Sequence, residues 1–249
     1  MSHVVITGVS SGIGNALAHL YLEQGRSVFG VSRTVPDDLI DRKNFHFCAI
    51  DLSETTQVSG KIARFLVHEQ GLTHIELLFL NAGQFSQRIA GLIDTPQAEI
   101  DYLMRLNVWS NKAVLDCLFA CGIDIDTCVF SASIAGVRAR AGNNGYALSK
   151  STLLMLAKLY ALENPATFFS VLGLCLVDTR LTRQAATMPI EGDFPEIELL
   201  RERAKLSGYA VSAQERARTI HELLAGNLKL QTESGDFVEI RSLSNIRQQ

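Results

Sequence analysis

"HVVITGVSSGIG", residues 3–14, runs from a short apolar stretch directly into a turn of glycines and serines. An apolar run of strand length predicts a β-strand buried on both faces. Gly8, Gly12 and Gly14 let the backbone turn sharply and come close to a ligand. The helix opening near Ile13 presents unpaired N–H groups, and the positive end of its dipole, to an anion. A glycine-rich turn alone is often just a tight loop. Placed between a first strand and a helix, it has the context a dinucleotide site requires.

The same alternation continues along the chain. "SVFGV" (27–31), "FHFCAI" (45–50), "ELLFL" (76–80), "TCVFSA" (127–132) and "FFSVLGL" (168–174) read as further strands buried on both faces. Helices are expected from near Thr55, Gln97, Tyr146 and Ala213, and "DFVEI" (236–240) is expected to close one sheet edge. This order predicts an α/β fold: a doubly wound parallel sheet of about seven strands with helices on both faces. No repeat or linker divides the chain, so one domain spanning residues 1–249 is expected. Residues 180–212 read as a substrate lid, with "PEIELLRERAKLSG" helical and Ile197, Leu200, Ala204 and Leu206 near one face.

Bulk composition excludes several classes. At 249 residues and 47% hydrophobic content the chain can bury a sizeable core. A net charge of −3 without a basic run argues against nucleic acid as a partner. The start, "MSHVVITG", is too short in apolar residues for a signal sequence, and no apolar stretch reaches membrane-spanning length. The five cysteines, at 48, 117, 121, 128 and 175, form no C-x-x-C and do not cluster with histidines. No metal site is expected, and the thiols read as reduced, mostly buried residues of a cytoplasmic enzyme.

"YALSK", residues 146–150, places a phenol and an amine one helical turn apart on one face. Such pairs occur by chance in many helices, so the rest of the chain has to decide its meaning. The turn Thr7-Gly8-x-x-x-Gly12-Ile13-Gly14 departs from the usual G-x-G-x-x-G spacing. It resembles instead the short-chain dehydrogenase/reductase family, in its compact single-domain branch. Distant points agree: Asp51-Leu52 after the third strand, Asn81-Ala82-Gly83 after the fourth, Asn107, and Ser133 thirteen residues before Tyr146. The resemblance covers nearly the whole chain and is weakest over 180–212.

The resemblance implies a catalytic set of Asn107, Ser133, Tyr146 and Lys150. It also implies a cofactor site. Gly8, Ser10, Ser11, Gly12, Ile13 and Gly14 would form its turn, and Ser32 and Arg33 would end the second strand. Asp51 and Leu52 would lie beside adenine, with Asn81, Ala82 and Gly83 lining the sheet end. Val177 and Thr179 would lie near the nicotinamide, and Tyr146 and Lys150 would also touch the cofactor. Arg33 stands where an acidic residue would select a free ribose 2′-hydroxyl, and it can instead bond a 2′-phosphate. Such a bond is worth roughly 1.5–3 kcal/mol, which favours NADP(H) by about ten- to a hundredfold. Ser11 is not basic, so the family's other common phosphate contact is missing.

In this chemistry Tyr146 gives a proton to the developing alkoxide, Lys150 lowers the phenol's pKa and holds the nicotinamide ribose, and Ser133 holds the substrate oxygen. Asn107 would support a water between Lys150 and solvent, or merely satisfy backbone groups at a helix irregularity. The sequence breaks the family pattern once: Leu174-Cys175 replaces Pro-Gly after the sixth strand, making Cys175 a candidate pocket residue or simply a packed thiol. Arg138 and Arg140 read as a solvated loop. The expected function is NADP(H)-dependent, reversible reduction of a ketone or aldehyde by a homodimer or homotetramer, with a small carbonyl or alcohol substrate and no membrane partner. The alternative is a non-catalytic NADP(H) sensor on the same fold, which would be expected to lose the tyrosine or lysine. An epimerase or dehydratase of the longer branch would need a larger C-terminal domain.

Overall fold

The structure, a computed structural model, describes residues 2–226 and 228–244. Seven strands form one parallel sheet: β1 (His3–Thr7), β2 (Ser27–Ser32), β3 (Phe45–Ala49), β4 (His74–Leu80), β5 (Asp124–Ala132), β6 (Phe168–Gly173) and β7 (Phe237–Glu239). Their spatial order is β3-β2-β1-β4-β5-β6-β7. This is the doubly wound α/β fold that the alternation predicts. The strand order reverses between β1 and β4, and such a switch point opens a crevice beyond the carboxyl ends of the strands.

Both faces of the sheet are covered, and side-chain alternation divides the core in two. Val5, Leu78, Leu80, Cys128 and Phe130 point into one cluster with α2 (Thr55–Ile62), α4 (Ser110–Ala120) and α5 (Asn144–Glu163). Val4, Ile6, Leu77, Phe79 and Val129 point into the other, beneath α1 (Gly12–Glu23) and α8 (Ala213–Ala225). Val4, Val5 and Ile6 are wholly buried, each contributing about 1.5–3 kcal/mol.

The two-sided burial expected of the first six strands fails at β3. This strand forms the sheet edge, and only Phe45 of its five residues is buried. The helix expected from Gln97 starts there: α3 (Gln97–Met104) passes through a wide π-type turn, Arg105–Trp109, straight into α4. Nor are the thiols mostly buried. Cys117 and Cys128 are, but Cys48 and Cys175 are half-buried, and Cys121 is exposed where α4 runs out.

Residues 180–212 hold α6 (Arg180–Thr187) and α7 (Pro195–Ala204). The segment is tied down at two points: Ile190–Glu191 pairs with Ile89–Ala90, and Val211–Ser212 with Val177–Asp178. Ile197 is buried, but α7 stops at Ala204 and Leu206 lies beyond it, 61% exposed, off the expected apolar face. No helix of the described residues is long and apolar enough to cross a membrane.

Candidate active site

A cleft of about 980 Å³ runs along the carboxyl edge of the sheet across the switch point. Every residue expected to touch a cofactor or substrate lines it except Gly14 and Asn107, which sit behind its wall. At the head of the cleft Gly8 adopts φ 75°, a conformation that strains any residue with a Cβ. A methyl at Gly14 would overlap the Gly8 carbonyl oxygen, so α1 can start this close to β1 only with glycine there. Ser11, at the N-cap of α1, makes no side-chain cap. The amides of the first turn are therefore left without the usual hydroxyl partner, as a phosphate site needs. The residues fit a dinucleotide. Asn81 stitches the switch point together: its N–H donates to Thr7 Oγ1 at 2.9 Å, and its Nδ2 to the Thr7 carbonyl at 3.3 Å.

At the end of β2, Ser32 is buried and its hydroxyl donates to the Thr34 carbonyl at 2.7 Å. Arg33 stands exposed on the cleft rim. Leu52 is buried beside Asp51, whose Oδ1 accepts from the Ser53 amide at 2.9 Å and hydroxyl at 2.7 Å. Burial opposes the charge on Asp51. The Ser53 hydrogen bonds, with Arg33 and Lys61 nearby, outweigh it and hold the carboxyl below its usual range.

The deep end of the cleft brings together Ser133, Tyr146 and Lys150. Tyr146 and Lys150 lie one turn apart in α5, with the ammonium 5.6 Å from the phenol ring centroid. Lys150 is 6% exposed and donates to the Ser131 carbonyl at 2.7 Å. Ser131, two residues before Ser133, thus serves through its main chain. Ser133 caps the turn after β5, accepting from the Ala135 amide at 3.1 Å. Burial pushes the Tyr146 phenol up to about 12, against the pull of a hydrogen bond with Ser133. Burial draws Lys150 down to about 8. Both groups thus resist carrying charge.

Asn107 lies in the π-type turn, wholly buried. Its Oδ1 accepts from the Gln84 amide at 2.8 Å, while its Nδ2 donates to the Gln84 carbonyl at 3.0 Å and to Ser149 Oγ at 2.9 Å. The side chain thereby clamps the strand end after Gly83 against α5. Tyr102 adds a bond to Gln84 Oε1 at 2.8 Å. Beyond this clamp Phe85 packs on Tyr146, ring centroids 4.3 Å apart and tilted by 52°. Gln84, Phe85, Tyr102 and Ser149 carry no functional mark in the sequence. Phe85 follows Gly83 by two residues, but nothing in the spacing distinguishes it.

After β6 the chain passes through Leu174, buried, and Cys175, the only described non-glycine residue at positive φ, 58°. Cysteine thus occupies a backbone conformation that favours glycine, and its half-buried thiol lines the cleft 3.6 Å from Glu239 Oε1. Val177 is buried in the short pairing with Val211. Thr179 caps α6, its hydroxyl accepting from the Thr182 amide at 3.3 Å, with its methyl over Gly12. Beside the cleft, beneath α6 and α7, a second pocket of about 250 Å³ opens toward Phe85. Arg140, expected in a solvated loop, lines both cavities and faces Glu196 at 3.5 Å, because α7 folds back over it. Arg138 stays exposed.

Comparison with known proteins matches this geometry. The chain is 27% identical over 206 residues to 2-(R)-hydroxypropyl-CoM dehydrogenase of Xanthobacter autotrophicus, covering 76% of this chain and 80% of that protein. A short chain dehydrogenase family protein from Francisella tularensis superposes with a TM-score of 0.78 at 22% identity, over 96% of this chain and 97% of the other. The ligand-free aldohexose dehydrogenase of Thermoplasma acidophilum gives a TM-score of 0.76 at 22% identity, over 96% and 92%. At that identity the two structures speak for the fold. The family itself rests on a sequence model described as short chain dehydrogenase, which matches residues 2–189. The chain belongs to the short-chain dehydrogenase/reductase family, whose members are oxidoreductases using NAD(H) or NADP(H).

Proposed function

We propose that this chain is an NADP(H)-dependent oxidoreductase that reversibly reduces a ketone or aldehyde to an alcohol. The observation that carries the reading is the meeting of Ser133, Tyr146 and Lys150 at the deep end of a cleft whose head is a glycine turn. When bound, the reduced nicotinamide supplies the hydride that goes to the carbonyl carbon. Tyr146 donates its phenolic proton to the carbonyl oxygen, so the products are the alcohol and NADP⁺. Ser133 donates to the same oxygen and holds it beside the phenol as negative charge develops. Lys150, its ammonium kept close by the Ser131 carbonyl, stabilises the phenolate left behind.

Gly8, Ser10, Ser11, Gly12 and Ile13 would cradle the pyrophosphate, with Gly14 allowing the close approach of α1. Arg33 on the open rim would take the 2′-phosphate, with Ser32 beneath it and Asp51 and Leu52 beside adenine. Asn81, Ala82 and Gly83, with Val177 and Thr179, would line the nicotinamide half. Asn107 would act through the main chain it clamps. We read residues 1–249 as one cytoplasmic domain with 180–212 as its substrate lid. Leu148, Met155, Leu159 and Leu162 are exposed along α5, as a homodimer or homotetramer interface would require.

The test follows NADPH oxidation over a panel of ketones and aldehydes, for the wild type and Tyr146→Phe. The substitution is expected to lower kcat by about 10²–10⁴-fold and to leave NADPH binding unchanged. Full activity in the variant would remove Tyr146 from the mechanism. Silence of the wild type across the panel, with NADPH bound, would favour a cofactor sensor.

A further inference from the structure

We infer that, on the reductase reading above, the site takes a carbonyl beside one compact, uncharged apolar arm, and that Phe85 sets how large that arm can be. The arm enters the pocket beneath α6 and α7. At about 250 Å³, this pocket is smaller than the roughly 300–1,000 Å³ that holds a whole small ligand. It therefore takes part of a substrate: a short alkyl chain or a single ring.

The chemistry of the walls decides the character of the arm. Ile89, Leu176, Met188, Ile197 and Leu200 supply apolar surface. Four arginines also border the pocket, which would suggest an anionic ligand, but three are paired with carboxylates and the fourth is held by main-chain carbonyls. Arg88 pairs with Glu191 at 2.8 Å, Arg140 with Glu196 at 3.5 Å, and Arg183 with both oxygens of Asp178 at 2.6 and 2.9 Å. Arg201 has no carboxylate partner: its Nη2 donates to the Ala185 and Met188 carbonyls at 3.2 and 2.6 Å, and its Nε, without a partner among the described residues, is closed off from solvent. An anionic arm would have to break a pair at Arg88, Arg140 or Arg183, or draw Arg201 off its carbonyls; a neutral arm disturbs none of them.

Phe85 controls the entrance. It lines both the cleft and the pocket, and its ring lies against Tyr146, so a carbonyl that reaches the phenol passes along it. Its backbone is held in place, because both polar groups of the preceding Gln84 main chain are bonded to Asn107. The far wall is held as well, by the Ile89–Ala90 and Ile190–Glu191 pairing and by the Ile89 amide on the Pro189 carbonyl at 2.9 Å. The pocket is preformed, with a set size.

The experiment measures kcat and KM of the full chain with NADPH and acetone, methyl propyl ketone, acetophenone and methyl octyl ketone. Levulinate serves as the carboxylate-armed counterpart of methyl propyl ketone. Efficiency should rise from acetone to acetophenone and fall about tenfold for methyl octyl ketone, with levulinate about tenfold below methyl propyl ketone. Phe85→Ala should restore methyl octyl ketone about tenfold relative to acetophenone. Phe85→Leu repeats the comparison with most of the bulk retained, and Leu200→Phe, which fills the pocket from the opposite wall, should depress acetophenone relative to acetone.

Levulinate outperforming methyl propyl ketone, or an order of sizes unmoved by all three variants, overturns the inference and leaves the reductase reading standing. If no ketone is reduced, that reading falls, and saturation-transfer NMR of acetophenone with the NADPH complex decides the pocket separately. Binding weakened by Leu200→Phe upholds it, and binding indifferent to Leu200→Phe rejects it.

Discussion

The cleft and the pocket lie side by side and share Phe85, Arg140, Asn143, Leu176, Thr182 and Leu200, yet they are built from different materials. The head of the cleft is made of backbone: a glycine turn, uncapped amides and a strand end stitched by Asn81. The pocket is made of side chains from distant segments, brought together when residues 180–212 fold back onto Ile89–Ala90. A backbone site tolerates almost no substitution, because the shape of the main chain leaves no room for a Cβ. A side-chain site tolerates many, because any apolar residue of suitable volume will line it.

The largest effect is expected where that contrast is sharpest. Gly14→Ala adds one carbon against the Gly8 carbonyl. It should cost about 3 kcal/mol, a fall in Tm of roughly 6–12 °C, with loss of NADPH binding. Leu200→Ala removes three carbons from the half-buried pocket wall and should cost only about 1–2 kcal/mol. Thermal unfolding of the two variants side by side checks this, and a reversal of their order would break the comparison.

Arg33 tests the rim, where a side chain works on the backbone-built half. Arg33→Ala should raise the Kd for NADPH about ten- to a hundredfold and leave NADH binding within about twofold, read by fluorescence titration. Equal losses for both cofactors would mean that Arg33 does not meet a 2′-phosphate.

The smallest effect concerns Cys175, where the two building styles collide. A side chain stands at a position whose φ of 58° favours glycine, a strain of about 1–2 kcal/mol. Cys175→Gly relieves it but removes a half-buried thiol and loosens the unfolded chain. The net gain should be at most about 1 kcal/mol, a rise in Tm of roughly 2–4 °C. A fall in Tm would show that the thiol's packing beside Glu239 outweighs the strain.

Much of the site is legible in the sequence. The glycine turn, the Tyr146–Lys150 interval and the thirteen-residue step from Ser133 survive as spacing, because each is local or spans the single connection between β5 and α5. The environment around them is not legible there. Asn107 can be placed on a helix, but only the folded chain shows its amide bonded to both main-chain groups of Gln84. Arg140 reads as solvated because Glu196 lies 56 positions further on. Leu206 fits the apolar face of a helix that in fact ends at Ala204.

The sequence by itself determined the alternation of strands and helices, the glycine turn after the first strand, and the family. These depend on period, on glycine and on short fixed intervals, all written along the chain. Tertiary structure alone decided that β3 is an edge, that Phe85 lies on Tyr146, and that four arginines around the pocket are engaged within the protein. Each of these depends on how the segments pack against one another, which is settled only once the sheet and residues 180–212 have folded together.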